Sequence, residues 1–578
     1  VIANAVGRGD LLGNSGHGIP RKKNRKRMKR LFKYTLIALA AILVLPAAFL
    51  CGLYLTADME QPAVTIDTAA YRVTNHGGYT TCHGSFLRRN PHGLWELYTA
   101  GPPEESGAAA GALTAGLMHY QEQVFVDQIR EFVPSEGYLK FLGGMIRIFN
   151  RNLGRHVPEE YRREIYARSL YCSHDFDAIG TPYERQLNYH AAHDIGHAMS
   201  QYMLVGCSSF AAWGGASDDG KPVVGRNFDF YMGDDFARNK IVTFCRPQAG
   251  YPFASIGWAG MIGVLSGMNS EGLTVTINAA KGPVPLASAT PISILAREIL
   301  QHAATIAEAL EIARRRDTFV SESLLVASAR DGRAAIIEKT PRRTVLYEGD
   351  GEYLICTNHY QSEAFDDDGD NRENIAMTDS PHRFARLEEL MAANAPLGVP
   401  AAAMLRDQRG TGGKDIGVGN DCSVNQSIAH HSVIFKPATL QMWVSTSPWQ
   451  GGAFVCYDLG AILRTPDPAA ELYDSAQEIP SDTAYLARDY PRVVAYRQLG
   501  ARIRRAMKAG RKADGELIET FAQTNPQNFH TWKLLGEYYL SQGDDGRAAQ
   551  SFGKALEAGI PRRDELLAIE RLKSECKP

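Results

Sequence analysis

Apolar residues run without a charge from residue 34 to residue 55, and beyond that they fall into two distinct rhythms. The unbroken run has the length of a membrane-crossing helix, and the basic stretch 21–30 ahead of it points the N-terminus to the cytoplasm. This predicts a basic cytoplasmic arm over 1–33, a transmembrane anchor over 34–55, and an extracytoplasmic (periplasmic or extracellular) remainder. A signal peptide cut at Leu55-Thr56-Ala57 is the alternative, and the length of the run favours an anchor. A helical rhythm follows: Leu113, Leu117, Tyr120 and Val124 predict a helix over 108–132, and 189–204 reads as another.

From residue 207 the rhythm changes to strands and turns. Strands are expected at 207–213, 222–230, 253–258, 261–267, 273–278, 323–329, 334–338, 343–347, 353–357, 427–436, 440–445 and 453–458, with helix over 291–315. Helices facing two stacked, mainly antiparallel sheets give an α+β fold, a four-layer αββα sandwich over 207–465. Residues 64–206 precede it as a pro-segment or small subunit. Beyond Pro466 the chain turns helical and charged. Trp532, Leu535, Gly536 and Tyr539 fit the spacing of a tetratricopeptide unit, with Ala548, Phe552 and Pro561 at its later positions. That predicts a helical segment over 482–575, docked on the sandwich because so few units do not stack alone.

Composition narrows the function. With 44 % hydrophobic and 22 % charged residues the 578-residue chain is globular, and a net charge of −2 offers nothing to nucleic acid. Nine cysteines show no CxxC spacing; Cys82 and Cys172 are candidates for pairing on an oxidising side of a membrane.

The densest chemistry lies in 206–230. Asp218-Asp219-Gly220-Lys221 is a turn between two strand-like runs. Folding about Asp219 brings Asp229 roughly opposite Cys207, so a thiol, a guanidinium (Arg226) and a carboxylate meet behind a glycine, Gly206. Strict alternation puts Arg226 and Asp229 on opposite faces. Both reach Cys207 if the strand bulges near Gly225; in a regular strand Asn227 shares the Asp229 face and Arg226 drops out. Further on, Gly267-Met268-Asn269-Ser270-Glu271-Gly272-Leu273 leads to Asn278, Thr357-Asn358 ends a strand, and Ser380-Pro381-His382-Arg383-Phe384 starts a helix with Ser380 as its expected N-cap.

These motifs, over roughly residues 207–460, resemble the cysteine N-terminal-nucleophile enzymes related to choloylglycine hydrolase, penicillin V acylase and isopenicillin N acyltransferase. The resemblance implies self-cleavage between Gly206 and Cys207, after which the α-amine of Cys207 serves as the thiol's own base. It further implies that Asp229 orients that amine and that Arg226 lowers the thiol pKa. Asn278 would hold the oxyanion, Asn358 would position the reacting carbonyl, and Arg383 would reach towards the nucleophile. The product is a free acid or a transferred acyl group, with a small-molecule acyl amide as substrate, no cofactor, the two cleaved fragments remaining associated, and a membrane as partner through the single helix. An apolar acyl pocket is expected near Trp213, Phe230, Tyr231, Trp258 and Met261.

Two other readings stand beside it. His190, His193 and His197 carry a spacing that places metal ligands on one helical face, although Asp194 stands where a metalloprotease helix has glutamate and Gly196 weakens the helix; the bland reading is a polar helix face. The helical tail on a membrane anchor also fits a non-catalytic scaffold.

Overall fold

Strands Leu204–Ala212 and Val223–Tyr231 form the expected antiparallel hairpin within a seven-stranded sheet. The computed structural model describes residues 21–57, 59–133, 135–198, 204–464 and 466–577. Tyr353–Cys356 flanks the hairpin on one side; Ala429–Lys436, Gln441–Ser445, Phe454–Asp458 and Tyr473–Ile479 continue the sheet on the other, all antiparallel.

An eleven-stranded sheet packs against it. Phe244, Ala254, Leu325 and Ile336 from that sheet meet Ala211, Val224, Val433 and Val444 from the first in one buried layer. Helices Ile292–His302 and Ile306–Arg315 cover the outer face of the larger sheet, where Ile299 and Ala309 pack with Val275, Leu324 and Val326. Helix Ser380–Asn394 covers the outer face of the smaller one, through Leu387 and Met391 on Phe210 and Ile355.

The segment before residue 206 is woven into this architecture. Its strand Trp95–Gly101 pairs in parallel with Ile241–Pro247, and Thr74–Asn75, Tyr79–Cys82 and Ser85–Arg89 extend the same sheet outward. The predicted helix over 108–132 is Pro103–Phe132, started by Pro103 at its first turn with Glu104 and Glu105 near the positive helix end. Helix Pro182–Ala198 replaces the one expected over 189–204, whose residues 199–203 lie outside the described residues. Cys82 and Cys172 are both free thiols, buried in one apolar cluster.

The N-terminal expectation is corrected. Arg21–Leu55 is one helix that carries the basic run along with the apolar one and has Pro46 inside it, which removes a backbone donor. Among the described residues no helix is long and apolar enough to cross a membrane. The anchor over 34–55, the single-pass placement and the extracytoplasmic side drawn from it are therefore withdrawn.

The tail forms helices Tyr490–Lys508, Gly515–Thr524, Phe529–Ser541, Asp545–Ala558 and Arg563–Glu575. They close around Phe521, Leu534 and Tyr538, then Phe529, Phe552 and Ile569. The tail rests on the sandwich through buried polar contacts. Asn525 and Asn528 bond the backbone of Val418, and Asp421 accepts from Arg562 at 2.5 Å and faces His530 at 3.3 Å. Burial pushes the Asp421 carboxyl up, but His530 and Arg562 outweigh it and hold it well below the ordinary range. A carboxyl depressed by folding adds stability above its unfolded pKa and loses it as pH falls. Asp421→Asn is therefore expected to cost about 3 kcal/mol at pH 7, with the difference from wild type shrinking below about pH 4. Denaturant unfolding with proteolysis of the 466–577 region checks this; equal stability at pH 7 rejects it.

Candidate active site

The hairpin register decides which groups meet. Gly206 pairs with Asp229, Cys207 with Phe228 and Ser209 with Arg226, one residue off the pairing expected from a fold about Asp219. The connection 213–222 explains the shift: it is not a tight turn but carries a short helical turn, Gly214–Ala216. Gly225, expected to permit a bulge, has another job. A Cβ there would stand 2.2 Å from the Phe210 ring, so only glycine lets the ring lie across the strand.

With no register shift between these strands, side chains alternate strictly. Cys207, Ser209 and Arg226 look into the space between the sheets; Ser208, Asn227 and Asp229 look towards the outer helices. Arg226 thus stays with the thiol and Asp229 is the group displaced, the reverse of the expectation for a regular strand.

Arg226 is fully buried, with Nη2 3.4 Å from Cys207 Sγ. Its terminal nitrogens also bond the other sheet, at the Leu265 carbonyl (2.9 Å), the Ser266 hydroxyl and the Ile277 carbonyl, while Nε is buried without a hydrogen-bond partner. Burial pushes the Cys207 thiol up and Arg226 draws it back down, while Asp229 raises it. Across the sheet, both Asp229 oxygens are buried without a hydrogen-bond partner. Burial raises that carboxyl to about 7 against the pull of Arg383 and Arg226.

Asn358 and Arg383 arrive from the far side of Cys207. The Cys207 backbone N–H donates to Asn358 Oδ1 at 3.0 Å, and Asn358 Nδ2 donates to the Ala279 carbonyl at 2.7 Å. Arg383 donates to the Cys207 carbonyl, to Ser208 Oγ at 3.0 Å and to Asn358 Oδ1 at 2.6 Å, and Asp379 holds it at 2.7 Å. Ser380 is the first helical residue rather than the N-cap, which is Asp379. Its hydroxyl accepts the Asn358 N–H at 2.8 Å and so fixes the strand end. Asn278 accepts from Ser209 Oγ at 2.8 Å and donates to the Cys356 carbonyl at 2.9 Å, bridging the two sheets.

Of the expected pocket residues, Phe230, Trp258 and Met261 line a cavity of about 40 Å³ together with Phe125, Tyr189 and Phe236. Trp213 packs at the opposite end of the hairpin, about 20 Å along the strand from Cys207. Tyr231 lies under the Arg497 guanidinium of the tail, 5.1 Å away. His190 donates from Nδ1 to the Gln186 carbonyl and accepts the Ile262 N–H at Nε2, so both ring nitrogens are engaged, and burial pushes it down to about 4. The side chains of His193 and His197 lie outside the described residues.

Three residues near the thiol carry no expectation. Ser266, bonded by Arg226, lies 2.7 Å from His431 Nε2, and His431 Nδ1 lies 3.1 Å from His430 Nδ1. A guanidinium has no acceptor, so the Ser266 hydroxyl accepts from Arg226 and donates to His431 Nε2, and His431 donates from Nδ1 to His430. Burial holds both rings neutral, His430 down at about 3. The pair His430-His431 was visible within a strand-like run; the register shift between Ala429 and His431 that gathers both rings was not.

Asp229 supplies a measurable consequence. Its folded pKa is raised, so the folded chain keeps a proton that the unfolded chain releases, and stability falls as pH rises from about 4 through about 7. In a Cys207→Ala background, Asp229→Asn is expected to stabilise by up to about 4 kcal/mol at pH 8 and by little at pH 4. Denaturant unfolding at the two pH values checks it; destabilisation at pH 8 rejects it.

Residues 216–447 match the family model described as AAT, acyl-coenzyme A:6-aminopenicillanic acid acyl-transferase. An uncharacterized protein of Archaeoglobus fulgidus is 25 % identical over 242 residues, so that the match spans 39 % of this chain and 39 % of that relative's length. Among solved structures, the Caenorhabditis elegans N-acylethanolamine-hydrolyzing acid amidase ortholog is similar at 18 % identity and a TM-score of 0.28, over 40 % of this chain and 93 % of its own. A mutant conjugated bile acid hydrolase from Clostridium perfringens is similar at 10 % identity and a TM-score of 0.31, over 46 % of this chain and 95 % of its own. In its motifs and in the stretch matched by the acyltransferase family model, the chain resembles the N-terminal-nucleophile cysteine group of choloylglycine hydrolase, penicillin V acylase and isopenicillin N acyltransferase.

Proposed function

We propose that this chain is a self-processing enzyme that cleaves or transfers an acyl group from an amide through a thioester on Cys207. The observation that carries the proposal is the pairing of a buried guanidinium with that one sulfur, 3.4 Å away, while Asn358 holds the Cys207 nitrogen at 3.0 Å. Cleavage after Gly206 converts this nitrogen into an α-amine whose ordinary pKa, about 7.7–8.0, suits a general base. The amine takes the thiol proton, the sulfur attacks the acyl carbon, and the amine of the substrate leaves with the proton. Arg226 draws the thiol towards its ionised form. Asn358 and Arg383 orient the nucleophilic residue from the other side, and Asn278 supplies an N–H to the oxyanion. Water or an acceptor amine resolves the thioester.

Asp229 faces away from the sulfur and stands across from Gly206, beside the bond to be cut. The two fragments stay together after cleavage because Trp95–Gly101 from the first is a strand of the sheet built by the second. Phe230, Trp258 and Met261 favour an apolar acyl group, and the first fragment adds Phe125 and Tyr189 to the same cavity.

Mass spectrometry of purified protein is expected to find two fragments, the second beginning at Cys207. Cys207→Ala is expected to stay whole and to lose at least about a thousandfold in turnover on a panel of acyl amides. Activity that survives thiol alkylation overturns the nucleophile; activity on polar peptides alone overturns the apolar acyl class.

A further inference from the structure

Beside the bond assigned above to self-cleavage lies a side chain that the proposed reaction does not use. Gln426 is 5 % exposed, and its Nε2 has no hydrogen-bond partner. This nitrogen would stand 2.7 Å from a Cβ built on Gly206, with its Oε1 3.5 Å away. An unpaired buried amide donor is costly. The backbone is nevertheless held there: Ser427 takes the left-handed φ of 55°, its N–H bonds Asn425, its carbonyl accepts from Arg497 and its hydroxyl meets Tyr485. A strained position fixed on three sides is a feature that structure elsewhere must maintain.

The direction of attack gives the donor a purpose. Successive peptide groups along a strand point to opposite sides. The N–H and carbonyl of Cys207 are held by Asn358 and Arg383, so the Gly206 carbonyl points the other way, towards Asp229. The thiol stands on the face between the sheets, and attack from there makes the carbonyl carbon pyramidal. Its oxygen then bends out on the opposite face, the one on which the Gly206 Cβ position, Gln426 and Asp229 lie.

We propose that Gln426 is the side-chain donor to the oxyanion formed at Gly206 during self-cleavage, and that residue 206 is glycine because any Cβ would displace this amide. The inference rests on the self-processing reading. In the first step the Cys207 sulfur bonds to the Gly206 carbon, the Gly206–Cys207 C–N bond breaks, and the thiol proton passes to the departing nitrogen. Water then adds its hydroxyl to the Gly206 carbon and returns a proton to the sulfur, leaving a carboxylate and a free N-terminal cysteine. Gln426 donates its hydrogen bond to the oxygen in both tetrahedral intermediates and is unchanged at the end.

The test follows cleavage of freshly synthesised full-length chain by intact mass, with thermal melting of each variant. Gln426→Leu keeps most of the volume and removes the donor; it is expected to slow appearance of the Cys207 N-terminus by about a hundredfold. Gln426→Asn keeps an amide but withdraws it by one methylene, and an intermediate rate is expected; it is the variant read if the leucine chain does not melt cooperatively. Gly206→Ala with Gln426→Ala removes the clash and the donor together and is expected to stay slow. A leucine variant that folds and cleaves at the wild-type rate overturns the assignment, as does an Asn variant at the wild-type rate. A wild-type chain that never yields a new N-terminus at Cys207 overturns the self-processing reading itself.

Discussion

One buried cation holds the two sheets in register. Arg226 belongs to the smaller sheet, yet its guanidinium donates to the carbonyls of Leu265 and Ile277 and the hydroxyl of Ser266 on the larger one. Taking such a charge out of water costs several kcal/mol unless its donors are met. Here both terminal nitrogens are met, by the Leu265 and Ile277 carbonyls, the Ser266 hydroxyl and the Cys207 sulfur, while Nε is buried without a hydrogen-bond partner. The Phe228 ring, 4.5 Å from the guanidinium carbon, closes the remaining face with its negative π-cloud. The thiol is therefore placed by the same contacts that fix how the sandwich closes, and a shift of either sheet by one residue would separate them.

That constraint divides the chemistry between two faces of one strand. The face between the sheets holds sulfur, guanidinium and the neutral Ser266–His431–His430 chain, a polar line set among apolar residues. The outer face holds the Asp229 carboxyl, Asn227, which is tied to the Leu405 and Val424 carbonyls, and the amide of Gln426.

Much of this was legible in the sequence, for local reasons. Strand alternation and turn residues locate most strands of both sheets between 207 and 458, and Asn358 and Arg383 converge on Cys207 as their motifs implied. What failed depended on distance along the chain. The register slipped by one because a ten-residue connection, 213–222, hides where a hairpin turns. Ile241–Pro247 and Tyr473–Ile479 went unread as strands because their pairing, with Trp95–Gly101 and with Phe454–Asp458, is a long-range fact. Trp213 and Tyr231 were drawn to the pocket by proximity in sequence to the hairpin, yet the strand carries one to the far end and the tail covers the other. The run 34–55 has a span's length and lack of charge, but it belongs to one helix that also carries the basic residues and Pro46, and among the described residues no helix is long and apolar enough to cross a membrane.

The thiol's burial then acquires a consistent meaning. Cys207 is 0 % exposed, closed to a reaction on an outside substrate. That burial is harmless for one whose first substrate is the neighbouring peptide, already in contact and already dry. Exclusion of water strengthens each charge interaction around the sulfur. With the proposed cut made, the residues ahead of Cys207 would lose their tether to the hairpin, while the parallel pairing of Trp95–Gly101 with Ile241–Pro247 would keep the rest of the first fragment in the sheet. Local release with global retention is what a buried nucleophile needs in order to gain a substrate without losing its fold. The topology allows it, because the Gly206–Cys207 bond lies inside one strand while the segment ahead of it joins the larger sheet through another.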